Sequence, residues 1–383
     1  MTDAREELVE LTRRLVSIPS HEDETAAGDA IKSWLREETD AAVTRDDAGN
    51  VFARRDGSGE GDGDEAGDSD EAGDGDGGAR ELALVGHHDV VPPDESQVAD
   101  GEYVVETRGG RIYGRGTADM KGAVAASMLA FRDAAPAGRL TFVSFVGEEV
   151  GGEGARAAID EGFAPDAAVV GEGSTNYSGD DVTDVAVAHK GRRGSTVTAR
   201  GSAAHASEPE AGENAVYRAC DAVDVIRGLE FPAADVFGER LRGSVAVTEI
   251  DGGSAWNVVP EACEVTVDER TVPGERAPLE RVEEIPGVEW TVDQDLPPMA
   301  CEDEAFADAV LAAADEAQAA TPELVTKPHA TDAGWLAAAG TACVVCGAAE
   351  PGEAHTASES VSIDVLERCY RIYRGAAERW PAE

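Results

Sequence analysis

The segment Leu82-Ala-Leu-Val-Gly-His-His-Asp-Val-Val91 constrains this chain more than any other stretch. Four apolar residues in a row fit a strand covered on both faces, as in a parallel sheet under helices. The run stops at His87, His88 and Asp89, groups that are costly to bury without strong partners. Open α/β sheets bind their ligands beyond the carboxyl ends of strands. This strand end is therefore expected to hold a metal, with later segments bringing the other ligands.

The rest of the chain repeats the pattern. Helical stripes run over 3–17, where Leu8, Leu11 and Leu15 share a face, and over 22–38, with Ile31, Trp34 and Leu35. Short strands follow at 42–45 and 50–55. After the opening strand come a helix at 121–134, a strand at 140–146 and a strand at 166–170. Asp119, Glu148-Glu149 and Glu172 stand near the ends of these segments. Alternating strands and helices imply an α/β fold, a mixed, mainly parallel sheet with helices on both faces. Near residue 183 the pattern changes to alternating strands at 185–188, 194–200, 244–250 and 263–268, with helices at 213–229 and 275–285. This predicts an inserted α+β domain over 184–296. Residues 1–183 and 297–383, with helices at 302–319, 331–339 and 363–378 and a strand at 341–346, then form the two parts of the first domain.

At 383 residues the chain is long enough for two domains. Its charged N-terminus and lack of an early apolar run argue against a signal peptide or membrane span, and predict a cytoplasmic protein. The net charge is −46, and 28 of the 32 basic residues are arginine. A hydrophobic content of 42% excludes disorder for most of the length. An acidic, lysine-poor surface suits a salt-adapted host, because the Debye length falls to about 3 Å at 1 M salt and self-repulsion is screened. No basic patch offers a nucleic-acid surface. Residues 56–78 are almost entirely Asp, Glu, Gly and Ser and read as a solvated insertion. Their irregular spacing, with no closing Glu, does not make a calcium loop. The six cysteines are scattered; Cys343-Val-Val-Cys346 lies in an apolar run and reads as core strand, not as a redox or zinc pair.

Histidines and carboxylates are good zinc ligands. A two-metal site needs a shared carboxylate with further ligands on each side. Five segments supply candidates: His87 to Asp89, Asp119, Glu148-Glu149, Glu172 and Pro351-Gly-Glu-Ala-His355. Adjacent carboxylates repel, so one of the Glu148-Glu149 pair is expected to be neutralised by metal while the other moves protons.

Gly86-His-His-Asp-Val-Val-Pro, Gly114-Arg-Gly-Thr-Ala-Asp-Met-Lys-Gly, Gly147-Glu-Glu-Val-Gly-Gly and Val170-Gly-Glu-Gly-Ser together resemble the co-catalytic zinc hydrolases that include acetylornithine deacetylase, succinyl-diaminopimelate desuccinylase and glutamate carboxypeptidase. The resemblance spans nearly the whole chain and identifies the inserted domain with that family's lid and dimerisation domain. It implies two Zn2+ ions, replaceable by Co2+ or Mn2+. His87 and Glu172 would bind one, Glu149 and His355 the other, and Asp119 would bridge both, beside a cis peptide common in the family. Asp89 would orient His87, and Glu148 would be the general base. His88 falls at a variable position and is not counted as a ligand. In the lid, His205 of Gly201-Ser-Ala-Ala-His-Ala would stabilise the oxyanion in a partner subunit's site. Asn257 and Arg270 match substrate-binding positions, and so does Thr331, although Asp332 after it departs from the desuccinylase form. Arg192 and Arg193 of Gly191-Arg-Arg-Gly-Ser resemble the desuccinylase, where they would serve a second carboxylate; surface salt bridges are the other reading.

The expected activity is a deacylase acting on an N-acyl amino acid, with N-succinyl-diaminopimelate the first substrate. An acetylornithine deacetylase-like enzyme and a dipeptidase or carboxypeptidase are the alternatives. A non-catalytic dimeric binding protein on the same fold is the remote one.

Overall fold

The computed structural model describes residues 2–57 and 80–381. The acidic insertion expected over 56–78 lies, from residue 58 onward, outside the described residues. The first elements in chain order are α1 (Thr2–Val16), α2 (Thr25–Glu38), β1 (Ala42–Arg45), β2 (Val51–Arg55), β3 (Glu81–His87), α3 (Gly122–Asp133), β4 (Arg139–Phe145), α4 (Glu153–Asp160), β5 (Ala167–Val170) and β6 (Val185–His189). They are followed by β7 (Gly191–Arg200), α5 (Ala215–Arg227), β8 (Ser244–Gly252), β9 (Ala262–Thr271), β10 (Val288–Leu296), α6 (Glu304–Ala317), α7 (Ala333–Ala338), β11 (Ala342–Val345) and α8 (Ile363–Arg379).

The chain divides into two compact units. One comprises 1–187, 301–325 and 335–383; the other comprises 188–300 and 326–334.

The first unit is built on a mixed sheet in the order β1-β2-β4-β3-β5-β11-β6. Its centre is parallel: β3 lies between β4 and β5, and β5 pairs with β11. Its edges are antiparallel, through β1, β2 and β6. Leu82, Ala83, Leu84 and Val85 are all buried, the environment expected for an apolar run in a covered strand. Helix α3 is buried from Gly122 to Phe131, and an apolar surface all round suits a helix enclosed by other elements. It packs on β3, β4, α1 and α8. Helix α8 offers Leu366, Ile372 and Tyr373 to the core, each fully buried. A buried Leu or Ile of this kind contributes about 1.5–3 kcal/mol. Two glycines admit this packing. A Cβ on Gly86 or on Gly171 would stand 2.9 Å from the Met120 methyl group, so a side chain at either position would push the end of Met120 aside. Cys343 and Cys346 are free and fully buried, as a core strand requires.

The second unit holds an antiparallel sheet in the order β8-β9-β7-β10. Helix α5 packs on it through Ala215, Ala219 and Ile226, against Val197, Val265 and Val267. The α5 N-cap is Asn214, whose side chain accepts from the N–H groups of Val216 and Tyr217.

Three elements differ from the sequence expectation. Strand β6 was grouped with the insertion, but Ala186 pairs with Val345 of the large sheet. Strand β10 was not anticipated, because its charged and polar residues at 289, 291, 293, 294 and 295 dilute the apolar alternation. The helix expected at 275–285 is a short 3-10 turn, Leu279–Glu284, confined between Pro278 and Pro286.

Candidate active site

Strand β3 ends at His87, and its ring is fully buried. His87 Nε2 lies 3.1 Å from Asp119 Oδ1 and 3.2 Å from Glu172 Oε1. On its other side Nδ1 bonds the Asp89 backbone O at 3.1 Å, with the Asp89 carboxylate Oδ1 3.2 Å away, so Asp89 orients the imidazole from that side. The second oxygen of Asp119 turns the opposite way: Oδ2 is 3.1 Å from His355 Nε2. His355 Nε2 is also 3.0 Å from Glu149 Oε1. One carboxylate thus stands between two nitrogen–oxygen clusters, His87–Asp119–Glu172 and Asp119–Glu149–His355, each with its ligand atoms within 4.8 Å of one another. Glu148 falls into a third such group with His87 and Glu149. The peptide bond between Asp119 and Met120 is cis.

These spacings suit metal ions. Two ligands about 2.0–2.1 Å from a tetrahedral zinc stand about 3.3 Å apart, close to the separations found here. The electrostatics agree. Burial opposes a charge on His87, yet Asp89, Asp119 and Glu172 outweigh it and hold the imidazole well above its usual pKa. Hydrogen bonds to Asp119 and Glu149 raise His355 to about 10, against the effect of burial. Burial would raise Asp119, but the two histidines keep it well below the usual carboxylate range. Burial, with the Asp119 charge adding to it, raises Glu149. The carboxylates demand positive charge at the two imidazole Nε2 atoms, and a proton or a metal cation can meet that demand there.

Backbone supports fix these groups. Asn50, wholly buried, accepts from Val146 N at 3.0 Å and donates to Gly154 O at 2.9 Å, closing the loop that carries Glu148 and Glu149. Asp89 Oδ2 accepts from Glu149 N at 3.0 Å. Glu359 Oε1 accepts from Ala118 N at 3.0 Å, and its Oε2 takes a 2.6 Å bond from Arg115. Sequence reasoning missed Asn50, Arg115 and Glu359. Asn50 follows an ordinary turn, and one more glutamate carries no signal in so acidic a chain.

The model of Peptidase family M20/M25/M40 matches residues 83–379. The chain belongs to this family. It is a hydrolase acting on amide bonds. Over 319 residues it is 31% identical to an acetylornithine deacetylase of Myxococcus xanthus, covering 77% of this chain and 79% of that one. Over 329 residues it is 30% identical to a succinyl-diaminopimelate desuccinylase of Novosphingobium aromaticivorans, covering 78% and 81%. In fold it resembles the aminopeptidase PepT of Bacillus cereus, with a TM-score of 0.77 at 20% identity, over 98% of this chain and 99% of that one.

Within this M20 chain His88 is not among the clustered ligand atoms. It is fully buried, its Nδ1 is 2.8 Å from Ser144 Oγ, and burial lowers its pKa to about 3. The remaining predicted residues lie in the second unit. His205 is exposed, and its Nδ1 lies 2.7 Å from Ser207 Oγ and 3.2 Å from Ser207 N. In the tautomer in which Nδ1 accepts, the ring proton sits on Nε2. The His205 and Asn257 segments are neighbours, since Ala206 N donates to Asn257 O at 3.0 Å. Arg192 and Arg270 stand opposite each other on β7 and β9 and share Asp268, at 2.8 and 2.7 Å. Arg193 points elsewhere: it is buried, pairs with Glu269 at 2.5 Å and lies over the Trp290 ring. Thr331 is buried, with its hydroxyl 3.1 Å from His189 Nε2 and accepting from Ala333 N at 3.2 Å.

Proposed function

We propose that this M20 chain is a two-metal deacylase that releases the amine of an N-acyl amino acid, with N-succinyl-diaminopimelate as its substrate. The observation that carries the reading is Asp119, whose two oxygens face His87 and His355 separately. His87 and Glu172 would hold one ion and Glu149 and His355 the other, with Asp119 contributing to both sites. Zinc suits these nitrogen and oxygen donors, and Co2+ or Mn2+ can take its place. When bound, the ions supply Lewis acidity toward the amide carbonyl and the attacking water.

The chain's own residues do the rest. Asp89 fixes the His87 ring through Nδ1. Glu148 takes the proton of the attacking water and delivers it to the departing nitrogen. His205 donates from Nε2 to the developing oxyanion, a role that the family resemblance assigns across a homodimer formed through the lid. Arg192 and Arg270 share a single aspartate, so the trio keeps one net positive charge, and it is assigned to substrate carboxylates. Asn257 and Thr331 keep substrate roles on the resemblance alone. Arg193, committed to Glu269, is assigned to the frame of the lid.

The Myxococcus relative supports a second reading, deacetylation of an acetylornithine-like substrate. Hydrolysis of N-succinyl-diaminopimelate and N-acetylornithine, measured side by side with Zn2+ in molar KCl, separates the two. Succinyl preference that falls on Arg192→Ala supports the desuccinylase. Equal or better turnover of the acetyl substrate, unaffected by that change, supports the deacetylase. Cleavage of dipeptides alone would remove both.

A further inference from the structure

His355 is the most exposed group of the cluster, with half of its side chain open to solvent. It sits in a loop rather than at a strand end, and its φ is +63°. A non-glycine residue in the left-handed region costs about 1–2 kcal/mol and persists only where its surroundings impose it. Some contact must therefore hold this segment from outside.

Arg111 supplies that contact. It lies in a short strand, Arg111–Tyr113, well before Asp119 in sequence. Its guanidinium pairs with Glu353, two residues before His355, and with Glu350 at 3.3 Å. It also bonds Ser360 Oγ at 3.0 Å and Ser360 O at 3.1 Å, beyond His355. One planar cation thus ties both flanks of the loop to the strand that leads toward Asp119. Each acidic partner is itself held: Glu350 Oε2 accepts from Asn176 Nδ2 at 2.8 Å, and Glu353 Oε2 accepts from Glu350 N at 3.1 Å. Ser360 pairs with Tyr113 across the strands. A lysine cannot reproduce this, because one ammonium lacks the fork that reaches two carboxylates and a carbonyl together.

We infer that Arg111 is a positioning residue for one metal site only, the one formed by Asp119, Glu149 and His355. The inference rests on the two-metal reading above. In the His87–Asp119–Glu172 site, His87 ends β3 and Glu172 follows β5, and neither is tied to the clamp.

The test is calorimetric titration of chelator-treated protein with Zn2+ in molar KCl, on wild type, Arg111→Gln and Arg111→Lys, with thermal melts of each. Wild type is expected to take up two equivalents. Arg111→Gln should keep one at wild-type affinity and bind the other at least tenfold more weakly, the scale seen when partners that orient metal ligands are lost. Arg111→Lys should recover only part of that loss. Wild type binding fewer than two ions would overturn the two-metal reading. Wild type binding two, with both affinities unchanged in Arg111→Gln, would overturn the role of Arg111, as would equal weakening of both sites. If Arg111→Gln does not fold, Glu353→Gln removes the clamp from the loop side and is held to the same expectation.

Discussion

Glu359 accepts a hydrogen bond from the backbone N–H of Asp119 at 3.2 Å, while its other oxygen meets Arg115 at 2.6 Å. Both charged groups are buried, so each depends on the other. In Glu359→Gln the amide oxygen can still accept from the Asp119 segment, but Arg115 loses its counter-charge. Removing one member of a buried ion pair costs about 3–5 kcal/mol. Urea denaturation of the metal-free protein in molar KCl should show a loss of that order. A loss below about 1 kcal/mol, the usual worth of an exposed pair, would show that the pair is dispensable.

Glu148 is grouped with His87 and Glu149 and is not assigned as a ligand in the proposed site. Glu148→Gln should therefore retain both ions by elemental analysis while kcat falls by about 10²–10⁴, the range for loss of a positioned acid–base group. Parallel loss of metal and activity would mean that Glu148 is a ligand rather than a base.

His88 gives a pH dependence with a definite sign. Its pKa in the folded chain is lowered to about 3 by burial. The unfolded value is about 6.5, so below that pH the unfolded chain binds more protons and folding weakens as pH falls toward 3. The contribution is fully present above pH 6.5. In His88→Gln this dependence disappears. Between pH 6 and 4, with a chelator present, wild type should lose stability more steeply than the variant by up to about 1.4 kcal/mol per pH unit. Identical slopes would show that His88 takes up its proton without unfolding.

The net charge of −46 predicts that added KCl stabilises the fold. The Debye length shrinks from about 10 Å at 0.1 M to about 3 Å at 1 M, which screens repulsion across the surface. Melting temperature should climb between 0.1 and 3 M KCl. A flat or falling curve would show that the acidic surface carries no salt adaptation.

The sequence made the strand ends legible because apolar runs broken by His, Asp and Glu are chemically costly, and each must meet a partner. His87, Glu149 and Glu172 are of this kind; Asp119 stands in a turn ahead of α3, and the fold brings all four together with His355. The supports were not legible. Arg111, Arg115 and Glu359 act through long-range pairs, and nothing local separates them from the surface arginines and glutamates of this chain. Arg192 and Arg193 are adjacent in sequence and look alike, yet successive residues on a strand face opposite ways. One is partly exposed beside Arg270, and the other is buried on Glu269. Strand β10 stayed hidden for a related reason: its middle is largely exposed, so little apolar alternation was needed there.

The most direct test of the account is the metal content of Asp119→Asn beside wild type, measured by elemental analysis after loading with Zn2+ and removal of excess. Asp119 is the only residue shared by the two assigned ligand sets, so its charge is needed at both. Wild type should hold two ions per chain, and Asp119→Asn should hold fewer than one. Two ions retained in the variant would contradict the bridging carboxylate on which the two-metal reading stands.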